Sequence, residues 1–152
     1  MTTARTDSET ELKLLVPPGA SRRLGAHPLL RGAGRPTTKK LYSVYLDTPD
    51  LDLCRRGVAF RLRKDGAHWV QTVKGGGEVK SGLHRRVELE TGVSGPVPDC
   101  TVIDSEAFSG LFSSPRLCAQ LQPVFSTQFS RTSRIVSLTP DVTVEVCIDR
   151  GV

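Results

Sequence analysis

A chain of 152 residues fits a single domain with a modest core, and 38% hydrophobic with only 5% aromatic residues makes that core largely aliphatic. No run approaches the ~20 apolar residues of a membrane helix, and "MTTARTDSE" lacks the apolar stretch of a signal peptide, so a cytoplasmic protein with no membrane partner is expected. The net charge of +5 favours polyanions, whether nucleic acid, phosphorylated metabolites or an acidic surface, without choosing among them.

Residues 1–8 are polar and expected to be disordered, with one domain over 9–152. "ETELKLLV" (Glu9 to Val16) alternates and reads as a strand that ends at Pro17, Pro18 and Gly19. Pro18 opens a short helix through Leu24, Pro28 limits it, and "RGAGRPTTKK" reads as a flexible basic connection. "LYSVYLDT" (Leu41 to Thr48) is a second strand, followed by a single helical turn stopped by Gly57. "VAFRLRKD" and "HWVQTVKG", joined around Gly66, have the signature of a hairpin. A glycine-rich loop, "GGGEVKSG", leads to the strand "LHRRVELE" (Leu83 to Glu90). Short helices are expected at 104–112, capped by Asp104 or Ser105, and at 115–121, with Pro115 in the first turn. The chain then returns to strand at "VFSTQFSRTSRIVSL" and "VTVEVCID". Cys54, Cys100, Cys118 and Cys147 show no C-x-x-C pairing and no zinc spacing, so four reduced, buried thiols are expected. The three histidines are scattered and do not suggest a metal site.

One pattern recurs through the strands. Arg61 and Arg63 share a face opposite Phe60 and Leu62; Thr72 and Lys74 oppose Trp69, Gln71 and Val73. His84, Arg86, Glu88 and Glu90 oppose Leu83, Val87 and Leu89, while Val142, Val144, Val146 and Ile148 oppose Glu145 and Asp149. Glu9 and Glu11 would lie ~6.6 Å apart on one face, repelling by ~2.5 kcal/mol at an effective dielectric near 20. An ordinary antiparallel sheet with its polar face in water also gives such alternation. Arginine, however, fills most cationic slots, and its planar fork suits phosphate. The acidic residues also gather on the first and last strands and the basic ones on the middle strands. Rolled with its polar face inward, such a sheet would hold phosphates on a cationic wall and divalent metals on an acidic one.

"ETELK" resembles the E-x-E-x-K signature of the CYTH superfamily, the triphosphate tunnel metalloenzymes. The resemblance continues in order through "YLDTPDLDL", "VAFRLRKD", "WVQTVKG", "GLHRRVELE", "QPVFSTQFSR" and "VEVCIDRG", over nearly all of residues 9–151. The bacterial inorganic triphosphatase branch, whose members often carry a C-terminal CHAD domain, is the nearest in look. The resemblance implies a mainly β (α+β) fold, an antiparallel β-barrel tunnel with short peripheral helices. It implies Glu9 and Glu11 as metal ligands for Mg2+ or Mn2+, and Lys13 and Tyr45 as residues orienting or activating water. Arg61, Arg63, Lys74, Arg86 and Arg131 match the phosphate-binding set; Asp149 and Glu145 match later acidic positions. Glu88 also reads simply as a salt-bridge partner for a neighbouring arginine, and Tyr45 as wall packing. Family members continue past the "DRG" strand, so a C-terminally truncated, incomplete barrel is expected, with open edges that favour a homodimer.

The implied reaction is metal-dependent hydrolysis of inorganic tripolyphosphate to diphosphate and phosphate. Thiamine triphosphatase and class IV adenylate cyclase activities are alternatives on the same fold, and a non-catalytic polyphosphate-binding module is an alternative of another class. Nucleic acid is disfavoured, because the arginines alternate with glutamates and few aromatics are available for stacking.

Overall fold

The computed structural model describes residues 5–81, 83–103 and 106–151, with the backbone alone at 5–9, 78, 79 and 109. The expected caps Asp104 and Ser105 lie outside the described residues. The chain is mainly antiparallel β with short helices, and it divides into two units. The first comprises 1–13 and 42–127, the second 14–41 and 128–152.

In the first unit five strands lie in the order β1-β5-β4-β3-β2. β1 is Arg5–Leu12, β2 Thr37–Asp47, β3 Ala59–Asp65, β4 His68–Lys80 and β5 Leu83–Val93. The register turns alternation into two faces. Leu46, Phe60, Val73 and Leu89 are mutual cross-strand partners in one row, and all are buried. Tyr45, Arg61, Thr72 and Glu90 form the next row, which points the other way. The apolar face is covered by Leu53 of α3 (Asp52–Arg55), Phe108, Phe112 of α4 (Ser109–Phe112) and Ile103, with Leu117 and Cys118 of α5 (Pro115–Gln120) packed alongside. Sheet on one side and helices on the other give a single core, so the second face of the sheet is released from packing duty.

α3 is fastened to the end of β2 by one carboxylate. Buried Asp47 accepts hydrogen bonds from the backbone N–H groups of Thr48, Leu53 and Cys54 at 2.8, 2.9 and 3.0 Å. Asp47→Ala leaves these donors unpaired, and a loss of about 2–3 kcal/mol is expected in urea denaturation. Asp47→Asn, which keeps one acceptor oxygen, is expected to cost less.

The second unit holds the hairpin of β6 (Gln122–Thr139) and β7 (Val142–Gly151) from Gln128 onward. It also holds α1 (Ala20–Gly25), α2 (Pro28–Arg31) and the start of β2. Thr38 of β2 meets Thr132 of β6 at 3.2 Å, and Arg134 donates to the carbonyl of Gly34 at 3.3 Å. Val142 and Val144 of the expected apolar face remain exposed.

Several expectations are corrected. β1 starts at Arg5, because Arg5–Ser8 find partners in Val87–Glu90, and it stops at Leu12 rather than Val16. β2 begins at Thr37, inside the expected flexible connection, and α2 starts at Pro28, where only a helix limit was expected. The glycine-rich segment is not a loop: β4 runs to Lys80 across a register shift between Gly75 and Glu78. Gly77 makes that bulge feasible, since it sits at φ +94° with the carbonyl of Arg85 where a Cβ would go. Cys100 and Cys118 are not free thiols but a disulfide, with Cα atoms 6.3 Å apart, joining the turn at 100–102 to α5. Cys54 and Cys147 are free and exposed rather than buried.

Candidate active site

The ionisable face of the first unit is built outward from Arg61. β3 places this side chain beside the buried Thr72 of β4, and the pairing of β4 with β5 adds Glu88 and Glu90. Arg61 is 8% exposed, a degree of burial rarely tolerated by an unpaired charge. Its Nη2 donates to Thr72 Oγ1 at 3.0 Å and lies 3.6 Å from Glu90 and 3.9 Å from Glu88. Thr72 in turn donates to Glu90 at 3.1 Å. Lys74, half-buried, meets Glu88 at 2.9 Å. The Nε of Arg61 is buried and, among the described residues, has no acceptor. Two carboxylates thus hold a guanidinium and an ammonium side by side while one N–H still lacks a partner.

Of the other expected residues, some lie on the strands of the first unit and the rest in the second unit. Arg63, two residues along β3 on the same face, donates from Nε to the buried Ser43 at 3.3 Å. Tyr45 is opposite Arg61 in register, and its ring stacks on Phe125 with centroids 4.4 Å apart and planes at 15°. Arg86 is half-buried opposite Glu9, whose side chain lies outside the described residues. Glu11 is opposite His84 and pairs with Lys13, just beyond the end of β1, at 3.2 Å. In the second unit Arg131 grips Asp149 with two hydrogen bonds, at 2.8 and 2.7 Å, and Glu145 is exposed opposite Ile135. Thr72, Glu90, Ser43, His84 and Phe125 were not among the expected site residues. For Thr72, His84 and Ser43 the signal was present, since each stands two residues from a candidate on its own strand, and Glu90 shares the face of Arg86 on β5. For Phe125 only the fold supplies it.

Both signs of charge share this face: among its described side chains Arg61, Arg63, Lys74 and Arg86 stand with Glu11, Asp65, Glu88 and Glu90. Glu11 of β1 offers the carboxylate oxygens that Mg2+ or Mn2+ take. Among the described residues no three His, Cys, Asp or Glu side chains converge as a ready-made cage. The donor set fits an ion that draws its other ligands from phosphate oxygens and water, as Mg2+ commonly does.

The first unit is thus a helix-backed antiparallel sheet with arginine, lysine and carboxylates interleaved on its second face. The chain belongs to the CYTH family: the CYTH domain model matches residues 7–152. Over 112 residues it is 32% identical to the inorganic triphosphatase of Haemophilus influenzae, a match covering 73% of this chain and 30% of that protein's length. Among solved structures it resembles a Hippeastrum protein provisionally assigned as an adenylyl cyclase, with a dominant triphosphatase activity. That likeness has a TM-score of 0.63 at 14% identity, covering 99% of this chain and 73% of the other. A Bacillus halodurans protein provisionally assigned as an adenylate cyclase superposes with a TM-score of 0.56 at 20% identity, covering 94% and 72% of the two chains. Both likenesses establish the fold. Among the described residues no helix is long and apolar enough to cross a membrane.

Proposed function

We propose that this chain is the triphosphate-hydrolysing domain of its parent protein, cleaving inorganic tripolyphosphate to diphosphate and phosphate with Mg2+ or Mn2+. The observation that carries the reading is Arg61, buried beside Lys74 with an N–H donor left for an incoming oxygen. Phosphoryl transfer asks a protein for positioning and charge neutralisation more than for covalent chemistry. Arg61, Arg63, Lys74 and Arg86 hold the anionic oxygens and stabilise the leaving diphosphate, with Glu88 and Glu90 fixing the cations in place. Glu9 and Glu11 would hold the divalent ion, which would supply charge neutralisation and a polarised water. Lys13, paired with Glu11 at 3.2 Å, orients water. Tyr45 borders the anion from β2. Arg131, Asp149 and Glu145 are assigned phosphate and metal roles by family likeness, and Asp149 must loosen its grip on Arg131 to serve as a ligand.

A planar organic triphosphate is the second reading, favoured by one observation. Phe125, stacked on Tyr45, is 55% exposed and offers a ring surface on the site's border.

Phosphate release from tripolyphosphate is the test. It is expected with Mg2+ or Mn2+, to vanish with chelator, and to fall roughly 100-fold or more in Glu11→Gln. Tight binding without release in any metal would leave a polyphosphate-binding module. Faster release from an organic triphosphate, lost in Phe125→Ser, would favour the second reading.

A further inference from the structure

Each of the three histidines has a distinct setting. His27 caps α2, its Nδ1 accepting from the N–H of Leu29 at 3.3 Å, and His68 is exposed at the start of β4. His84 is half-buried on β5, directly opposite Glu11 and on the same face as Arg86 and Glu88. Its Nδ1 is buried and, among the described residues, has no hydrogen-bond partner. A buried polar nitrogen without a partner is costly and uncommon, and on a face built for anions the missing partner has an obvious chemistry.

Resting on the triphosphate reading, we propose that His84 is a substrate-binding residue, its Nδ1–H donating to a non-bridging oxygen of the phosphate group held next to Glu11. Non-bridging phosphate oxygens only accept, and an imidazole with its proton on Nδ1 supplies one donor in a fixed direction. Glu11 is then flanked on two sides: Lys13, just beyond the end of β1, reaches it at 3.2 Å, and His84 faces it across the strand pair. Mg2+ prefers oxygen ligands, so the imidazole serves the anion rather than the ion. The contribution is to hold one end of the triphosphate, with no proton transfer.

The test is a calorimetric titration of tripolyphosphate into the native chain, His84→Ala and His84→Asn, in chelator without divalent metal, with Mn2+ titrated alone in parallel. His84→Ala is expected to bind tripolyphosphate about ten-fold more weakly. His84→Asn, whose amide nitrogen can stand near the position of Nδ1, is expected to recover most of the affinity. Mn2+ affinity is expected to be the same in all three. If the alanine variant fails to fold, His84→Phe serves as a donor-free ring of similar shape. Undiminished tripolyphosphate affinity in the donor-free variant overturns the proposal. So does a loss of Mn2+ affinity with the anion unaffected, which makes His84 a metal ligand instead. A native chain that binds no tripolyphosphate removes the triphosphate reading itself, an outcome distinct from either.

Discussion

Arg61→Ala is expected to weaken tripolyphosphate binding by roughly 100-fold or more while leaving the chain folded, read by calorimetric titration and thermal denaturation. The guanidinium offers a fork of donors, of which the buried Nε is unpartnered among the described residues while Nη2 is shared with Thr72 and Glu90. In surroundings this dry, such charge-assisted bonds are worth more than on an open surface. The fold is expected to tolerate the change, because Glu88 keeps Lys74 at 2.9 Å and Glu90 keeps Thr72 at 3.1 Å. A stability loss of about 1–3 kcal/mol is therefore predicted, well short of what an abandoned buried charge costs. Arg61→Lys, which retains the charge without the fork, should fall between, with affinity reduced about ten-fold. Unchanged affinity in a folded alanine variant would place the anion elsewhere.

The neighbouring position on the same strand gives the opposite result. Phe60→Ala is expected to cost about 3–5 kcal/mol of stability and to lower the melting midpoint by roughly 6–20 °C. Phe60 is fully buried and meets Phe112 edge-to-face, with centroids 5.5 Å apart and planes at 82°. Removing the ring takes away its burial, that aromatic contact and the fit of α4 against the sheet. The milder Phe60→Leu should lower stability with little change in tripolyphosphate affinity at a temperature where the protein stays folded. Residues 60 and 61 are adjacent in sequence and on opposite faces, so one should report on the core and the other on the site. A parallel loss of affinity and stability in both would mean the two faces are not separate in function.

The alternation that separates these faces was legible because β3 contrasts strongly at every step: Phe60 and Leu62 against Arg61 and Arg63. β4 was legible to Lys74 and not beyond, since Gly75, Gly76 and Gly77 read as a loop. The ladder to β5 overrides that preference and carries the strand to Lys80. The start of β2 was missed for a similar reason, as the polar Thr37–Lys40 shows no apolar period. The specific pairings lay further from reach. That Lys74 meets Glu88, and Arg61 both Glu88 and Glu90, depends on the register of β4 against β5, and register is set by turns and bulges. The bond between Cys100 and Cys118 was hidden likewise, because 18 residues of turn and short helix must fold against one core before the sulfurs meet. Residue types thus marked the ionisable face, and register decided which charges stand together on it.

A crystal structure of the chain with tripolyphosphate and Mg2+ would test the central claim most directly. Phosphate oxygens are predicted within hydrogen-bond distance of Arg61 and Lys74, on the sheet face opposite Phe60 and Val73. An anion found only along the basic segment 22–40, with Arg61 still turned to Thr72 and Glu90 and nothing bound beside it, would contradict the account.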